Sequence, residues 1–172
     1  MLNLLEKLLL NGVYEVVHRD RNGKELSREV VENLVTNEGF NYLLNAALHG
    51  EAAISDWYFV PWKTNTAAAV ADTYAVPVNT EAATTDINEA NRQAWGEGAA
   101  SGQSITNAVA ARITAKGTVT IYGAGIVGGG NAASTISDTA GSGKLLSSKI
   151  FTTQKDLTVG ETLDLTYTLS KT

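Results

Sequence analysis

The chain has no cysteine, which excludes disulfides, thiolate metal sites and cysteine nucleophiles. It is short of charge: Asp, Glu, Lys and Arg make up 18% of its 172 residues, below the usual quarter. It has no basic surplus either. Its 13 Lys and Arg are scattered among 18 Asp and Glu, for a formal net charge of −5. Phosphate recognition needs a basic stripe, so nucleic acid is not expected as a partner. No apolar run reaches membrane-spanning length, so no membrane is expected. The opening "MLNLLEKLLLNG" has no basic start, carries Glu6 and Lys7 inside its apolar run and shows no small-residue cleavage site. It does not read as a secretory signal.

What is present is a weakly charged chain, 44% hydrophobic and rich in Ala, Thr, Gly, Asn and Ser. That length and that apolar content suit one globular domain with a core of its own. The composition fits a β-rich domain with long Ala/Thr loops, and equally a surface that packs against many neighbours.

Leu2, Leu5, Leu8 and Leu9 recur at helical spacing, and Asn11-Gly12 supplies a stop. Residues 1–12 therefore read as a short helical arm, packing on its own domain or docking on a neighbouring subunit. "GVYEVVHRDRNGKELSREVVENLV" reads as a hairpin with Asn22-Gly23 as its turn, Leu26, Val30 and Val31 lying in the return strand. Thr36 to Gly50 is the one embedded α-helix, capped by Thr36 or Asn37 and favoured by Glu38 near its positive end. Phe40, Leu43, Leu44, Ala47 and Leu48 form a single stripe, expected to face the core. Ala53 to Trp62 is an aromatic strand, and Pro61 places it at an end or an edge.

Between residues 63 and 102 periodicity dissolves, leaving room for two short helical pieces. So long a loop suggests a purpose, such as contact with a neighbour. Beyond it, Gln103–Ala115, Thr118–Val127, Leu145–Thr153 and Thr162–Ser170 each read as strands. In the last, Leu163, Leu165, Tyr167 and Leu169 alternate with polar residues. The expected fold is mainly β: an antiparallel β-sandwich, jelly-roll or Ig-like, forming a single domain over 13–172.

Two glycine patterns invite a nucleotide. Gly123, Gly125 and Gly128 in "VTIYGAGIVGGGN" spell the G-x-G-x-x-G of a dinucleotide turn. That turn must open a helix, yet "GGNAASTISDTAGSGK" is rich in helix-weakening residues, and no acid stands about 20 residues on. A strand bulge or the close approach of another backbone accounts for the glycines better. Gly143-Lys144 imitates a phosphate loop, but Asp138 holds the first glycine position and Leu145 replaces the hydroxyl. No cofactor or metal is expected.

Catalytic residues are not expected either. His49 suits a helix C-terminus and His18 a solvated strand face, while Asp86 and Glu89 have a spacing common in solvated loops.

Taken in order, "GVYEVVHRDRNGK", "NLVTNEGFNYLLNAAL", "WYFVPW", "ADTYA", "NRQAW", "SITNAVAARITAKGTVTIYGAGI" and "GKLLSSKIFTTQKDLTVGETLDLTYTLS" resemble a family of tailed-bacteriophage virion proteins, the capsid decoration or cement proteins. The set covers most of the chain beyond Asn11. The sequence departs from the family pattern at "FVPW", at "YAVPVN" after "ADT", and in its leucine-rich start. The resemblance implies a non-enzymatic component of the virion, at the capsid surface. Its partners would be the major capsid protein and neighbouring copies of itself. Tail, neck or fibre placement, or a carbohydrate-binding β-sandwich with Trp62 and Trp95 stacking on sugars, are the alternatives. Aromatic side chains favour interfaces, so Trp62, Tyr74 and Trp95, with Trp57, are the interface candidates, beside Leu2, Leu5 and Leu9 of the arm. Core packing is the competing role for the aromatics.

Overall fold

The computed structural model describes residues 10–171, apart from the side chain of Leu34. In chain order the elements are β1 (Leu10–Arg19), β2 (Glu25–Val35), α1 (Asn37–Leu48), β3 (Trp57–Trp62), β4 (Ser104–Thr106), β5 (Ala111–Thr114), β6 (Val119–Gly128), β7 (Lys144–Leu157) and β8 (Thr162–Lys171). All strand pairings are antiparallel.

β2 joins two layers. Its residues Glu25–Asn33 pair with β1, and then Leu34 and Val35 turn to pair with Ser148 and Ser147 of β7. One layer runs β2-β1-β8, with β4 and β5 both on the far side of β8; the other runs β3-β6-β7. Tyr14, Val16, Ile113, Leu163, Leu165 and Tyr167 of the first meet Phe59, Ile121, Ile126, Leu146 and Leu157 of the second in one apolar cluster. Each fully buried Leu or Phe contributes on the order of 1.5–3 kcal/mol. The result is an antiparallel β-sandwich with one helix among the described residues. The alternation of β8 drives it: Leu163, Leu165, Tyr167 and Leu169 are all buried.

The hairpin forms at the expected turn. Gly23 adopts φ 82°, and the Asp20 carboxylate accepts the N–H groups of Asn22 and Lys24 at 2.8 and 2.9 Å. Its upstream boundary moves, however. Asn11-Gly12 lies inside β1, where Asn11 pairs with β8 and Gly12 with both β2 and β8, and this pairing overrides a local turn preference. The domain therefore begins by Leu10, and a Cβ at Gly12 would collide with Asn33 and the Tyr167 hydroxyl. The rest of the expected arm, with Leu2, Leu5, Leu8 and Leu9, lies outside the described residues.

The strand expected over Gln103–Ala115 is broken into β4 and β5, and Asn107 is the reason. Its side chain accepts the Tyr167 N–H (2.9 Å) and donates to the carbonyls of Leu165 (3.2 Å) and Val109 (2.8 Å). One amide thus serves two backbone positions on β8 that a continuous strand would have paired.

The 63–102 segment contains no helix. It runs as turns and isolated bridges, and two of these, Tyr58 with Ala94 and Trp62 with Glu81, lie along β3. β3 is the edge strand of its layer, as Pro61 suggested, and the Pro61 carbonyl accepts the Ala82 N–H at 2.9 Å. The segment covers an edge that would otherwise expose unpaired backbone.

Two side-chain expectations are corrected. The helix stripe is rotated: α1 buries Gly39 and Tyr42 with Leu43 and Ala46 beside them, while Leu44 is 38% and Leu48 82% exposed. Gly39 sets this orientation, since a Cβ there would stand 2.6 Å from the Leu146 Cα. Close backbone approach chose the buried face over the larger side chains. His18 is not on a solvated face; it is 9% exposed, with Nε2 3.2 Å from the Glu161 carboxylate.

Candidate functional site

The glycine-rich strand is the first place to look, and its geometry leaves no nucleotide turn. β6 stays extended to Gly128, the chain then passes through turns, and no helix follows before β7. A Cβ at Gly123 would strike the Lys149 carbonyl, one at Gly125 would lie 2.8 Å from the Trp62 ring, and one at Gly128 2.6 Å from the Trp57 ring. The register shifts between Ile121 and Gly123 and between Ile126 and Val127, where β6 bulges against β7. Gly129 and Gly130 take φ near 69° and 68° in the turn that follows. Of the phosphate-loop imitation, Asp138 and Gly143 belong to the connection between β6 and β7, and Lys144 is the first residue of β7, paired with Gly128.

The most concentrated polar chemistry lies beside that connection, at a half-open cavity of about 250 Å³. Its apolar side is Trp62, Val127 and Leu145, and its polar side is Tyr74, Glu81 and Arg92. Arg92 and Glu81 come from the long segment and are 7% and 6% exposed. Arg92 Nε donates to Glu81 Oε1 at 2.9 Å and Nη2 donates to Oε2 at 2.7 Å. Nη1 donates to the Ala133 carbonyl (2.9 Å) and, more weakly, to the Tyr74 hydroxyl (3.5 Å); Nη2 also reaches the Asp138 carbonyl (2.9 Å). A guanidinium has five N–H donors, and here all five have acceptors. Glu81 also accepts the Ser137 N–H at 2.7 Å, which holds Ser137 at φ 64°.

Two further carboxylates complete the cluster. The Tyr74 hydroxyl donates to Asp138 at 2.7 Å. Glu38, in the first turn of α1, accepts the N–H groups of Tyr74 (2.8 Å) and Leu145 (2.7 Å). Burial, then the hydrogen bond to Asp138, raises the Tyr74 phenol above its ordinary value. That same hydrogen bond holds the Asp138 carboxyl below the usual range. Burial opposes the charge of Arg92, but its pairing with Glu81 outweighs it and raises the guanidinium pKa. Chemically the cluster is a staple. It ties the 63–102 segment to the β6–β7 connection and to α1, with its donors consumed internally.

The aromatic candidates are spent in the same way. Trp62 is 3%, Tyr74 2% and Trp95 3% exposed, so all three take the core role that stood against the interface one. Trp62 Nε1 donates to Ser148 (3.1 Å), and Trp95 Nε1 donates to the Tyr167 carbonyl (2.9 Å) beneath an edge-on ring contact of 5.4 Å. Neither tryptophan offers an open face for a sugar to stack on. Trp57, 7% exposed, meets Tyr42 edge-on at 5.6 Å.

The remaining polar candidates do not converge. Asp86 pairs with Lys63 at 2.8 Å, while Glu89 accepts the Thr114 N–H through both oxygens at 3.0 Å. His49 is the helix C-cap, its N–H bonded to the Asn45 carbonyl, and it is exposed, far in sequence from its fellow histidine. Among the described residues no group of three His, Asp or Glu could hold a metal ion, and no helix is long and apolar enough to cross a membrane. Sequence reading missed Arg92 and Glu81. The one available signal was a lone arginine within a polar stretch of a charge-poor chain. In comparisons with known proteins, no family model matches the chain and no curated protein matches it significantly.

Proposed function

We propose that the chain is a non-enzymatic structural protein of a tailed-phage virion, a decoration protein that binds and stabilises the major capsid shell. The observation that carries this reading is the ordered series of phrases shared with that family, from "GVYEVVHRDRNGK" to "GKLLSSKIFTTQKDLTVGETLDLTYTLS". Those phrases supply β1, the β2–α1 junction, β3, β6, β7 and β8, so the resemblance runs through the scaffold rather than through one loop. Two features of the chain support it. The buried Arg92, Tyr74 and Glu81, with the half-buried Asp138, act on one another and stiffen the long segment. The weakly charged, Ala- and Thr-rich surface suits many small contacts, each multiplied by the repetition of a shell.

Quantitative mass spectrometry of purified particles tests the reading. A copy number comparable to that of the major shell protein is the expected result. A few copies per particle would move the protein to the tail, neck or a fibre, and absence from particles would end the virion reading.

A further inference from the structure

The β3-β6-β7 layer carries apolar side chains on both of its faces. Phe59, Ile126 and Leu146 belong to the main core, while their chain neighbours Val60, Val127 and Leu145 form a second, smaller cluster with Trp62 and Tyr74. In that outer cluster Val127 and Leu145 are 3% and 1% exposed. What lies over them is chain without regular structure. Tyr74, Pro77 and Thr80 of the long segment and Ser137, Asp138 and Thr139 of the β6–β7 connection wall the cavity above them.

The two covers are held differently. The long segment bonds to β3 itself: the N–H groups of Phe59, Lys63, Ala82 and Trp95 donate to the carbonyls of Gln93 (2.8 Å), Thr80 (2.8 Å), Pro61 (2.9 Å) and Trp57 (2.7 Å). Residues 131–142 have no bond to a strand among the described residues. Three residues of the long segment hold them. Arg92 donates to the carbonyls of Ser134, Ala133 and Asp138, Glu81 accepts the Ser137 N–H, and the Tyr74 hydroxyl donates to the Asp138 carboxylate. Their apolar footing is slight: Ala133 is buried and Ile136 packs on the main core partly buried. Asn131, Thr135, Ser137, Thr139, Ala140 and Ser142 are exposed.

The segment also closes on itself. A Cβ at Gly130 would stand 3.1 Å from the Gly143 nitrogen, so the two ends are adjacent, as in an Ω-loop. Gly130 and Gly141 take φ 68° and 77° at this neck, a turn that glycine makes without strain.

We propose that residues 131–142 are a lid, which opens as one unit about its glycine neck while the sandwich and the long segment stay folded, and which uncovers Val127 and Leu145. Opening gives up a few hydrogen bonds and little apolar contact, so it requires far less free energy than separating either sheet. The Arg92–Glu81 pair survives it, because both partners belong to the segment that stays in place. The inference does not depend on the virion reading.

A chain without cysteine lets thiol labelling read the opening. Val127→Cys places a thiol beneath the lid, and Val16→Cys places one in the main core, where the native residue is 0% exposed and only unfolding reaches it. In the full chain under native conditions, Val127→Cys is expected to label at least about tenfold faster than Val16→Cys. Its rate should change little up to about 1 M urea, whereas that of Val16→Cys rises steeply. Tyr74→Phe keeps the ring, removes the bond to Asp138 and should speed Val127→Cys labelling by at least about threefold. Hydrogen exchange identifies the cover that moves: the Thr135, Ser137 and Asp138 amides should exchange well before those of Ala82 and Trp95. Equal rates and urea dependences for the two thiols would overturn the proposal. So would labelling of Val127→Cys at the rate of a free thiol, indifference to Tyr74→Phe, or exchange of Ala82 and Trp95 together with 131–142.

Discussion

Arg92 and Glu81, eleven residues apart in a segment without regular structure, form a buried ion pair closed at 2.7 Å, with side chains 3% and 4% exposed. Removing one partner strands the other charge away from water. Arg92→Met is expected to lower stability by about 3–5 kcal/mol, read from the urea midpoint. Arg92→Lys will not restore it, because one ammonium cannot serve Glu81 and the carbonyls of Ala133 and Asp138 together. The double variant Glu81→Leu/Arg92→Met should cost less than Arg92→Met alone. An equal or greater loss would show that the pair is not what holds the segment.

The glycines of β6 are required for packing. Gly123→Ala and Gly128→Ala force a Cβ into the Lys149 carbonyl or the Trp57 ring, and each is expected to cost at least about 1–3 kcal/mol. Gly117→Ala, where nothing lies within 4 Å, is the matched control and should change stability by less than about 1 kcal/mol. Millimolar NAD should leave the melting temperature of the parent chain unchanged, since a ligand of the native state would raise it. A clear upward shift would contradict the packing account of these glycines.

Thr36 acts in two places. Its hydroxyl accepts the Gly39 N–H at 3.0 Å, as an N-cap, and donates to the Leu145 carbonyl, tying α1 to β7. Thr36→Ala is expected to cost about 1–2 kcal/mol, while Thr36→Ser should keep most of that stability. Amide exchange would show faster opening of the first turn of α1 in Thr36→Ala. Unchanged exchange there would remove the capping role.

Acid should destabilise the fold through its paired carboxylates. Burial works to raise the Asp164 carboxyl, but hydrogen bonds from Arg112 and Arg19 outweigh it and hold the group below its ordinary 3.8. Glu29 is likewise held below 4.5 by Lys155 and the Thr152 N–H, against its own burial. A depressed carboxyl binds fewer protons folded than unfolded, so its stabilisation is present above the ordinary value and fades as pH falls through the folded one. The urea midpoint is expected to stay level from about pH 7 to 5 and to fall below about pH 4. A level midpoint down to pH 3 would show that these pairs contribute nothing.

Much of the scaffold was legible because its signals are local and periodic. The Asn22-Gly23 turn, the two-residue alternation of β8 and the cap at Thr36 each involve neighbours in sequence. The aromatic residues were legible only in part. Sequence marks Trp62, Tyr74 and Trp95 as large amphipathic side chains, but cannot say whether the surface around them is inside or out. The 63–102 segment was opaque because its order comes from partners far away: Glu81 with Ser137, Glu89 with Thr114, Arg92 with Ala133.

Sequence alone determined most of the antiparallel strands, the helix capped by Thr36 and the unsuitability of the spaced glycines for a nucleotide turn, since each follows from a short window of side chains. Tertiary structure alone decided which face of α1 turns inward, where the 103–115 region breaks, and that Arg92 and Glu81 meet. Those outcomes depend on contacts between distant parts of the chain: Gly39 against Leu146, Asn107 against β8, one guanidinium against carbonyls some forty residues on. Pattern within a window carries no record of such distances, because they exist only once both sheets have closed on the same core.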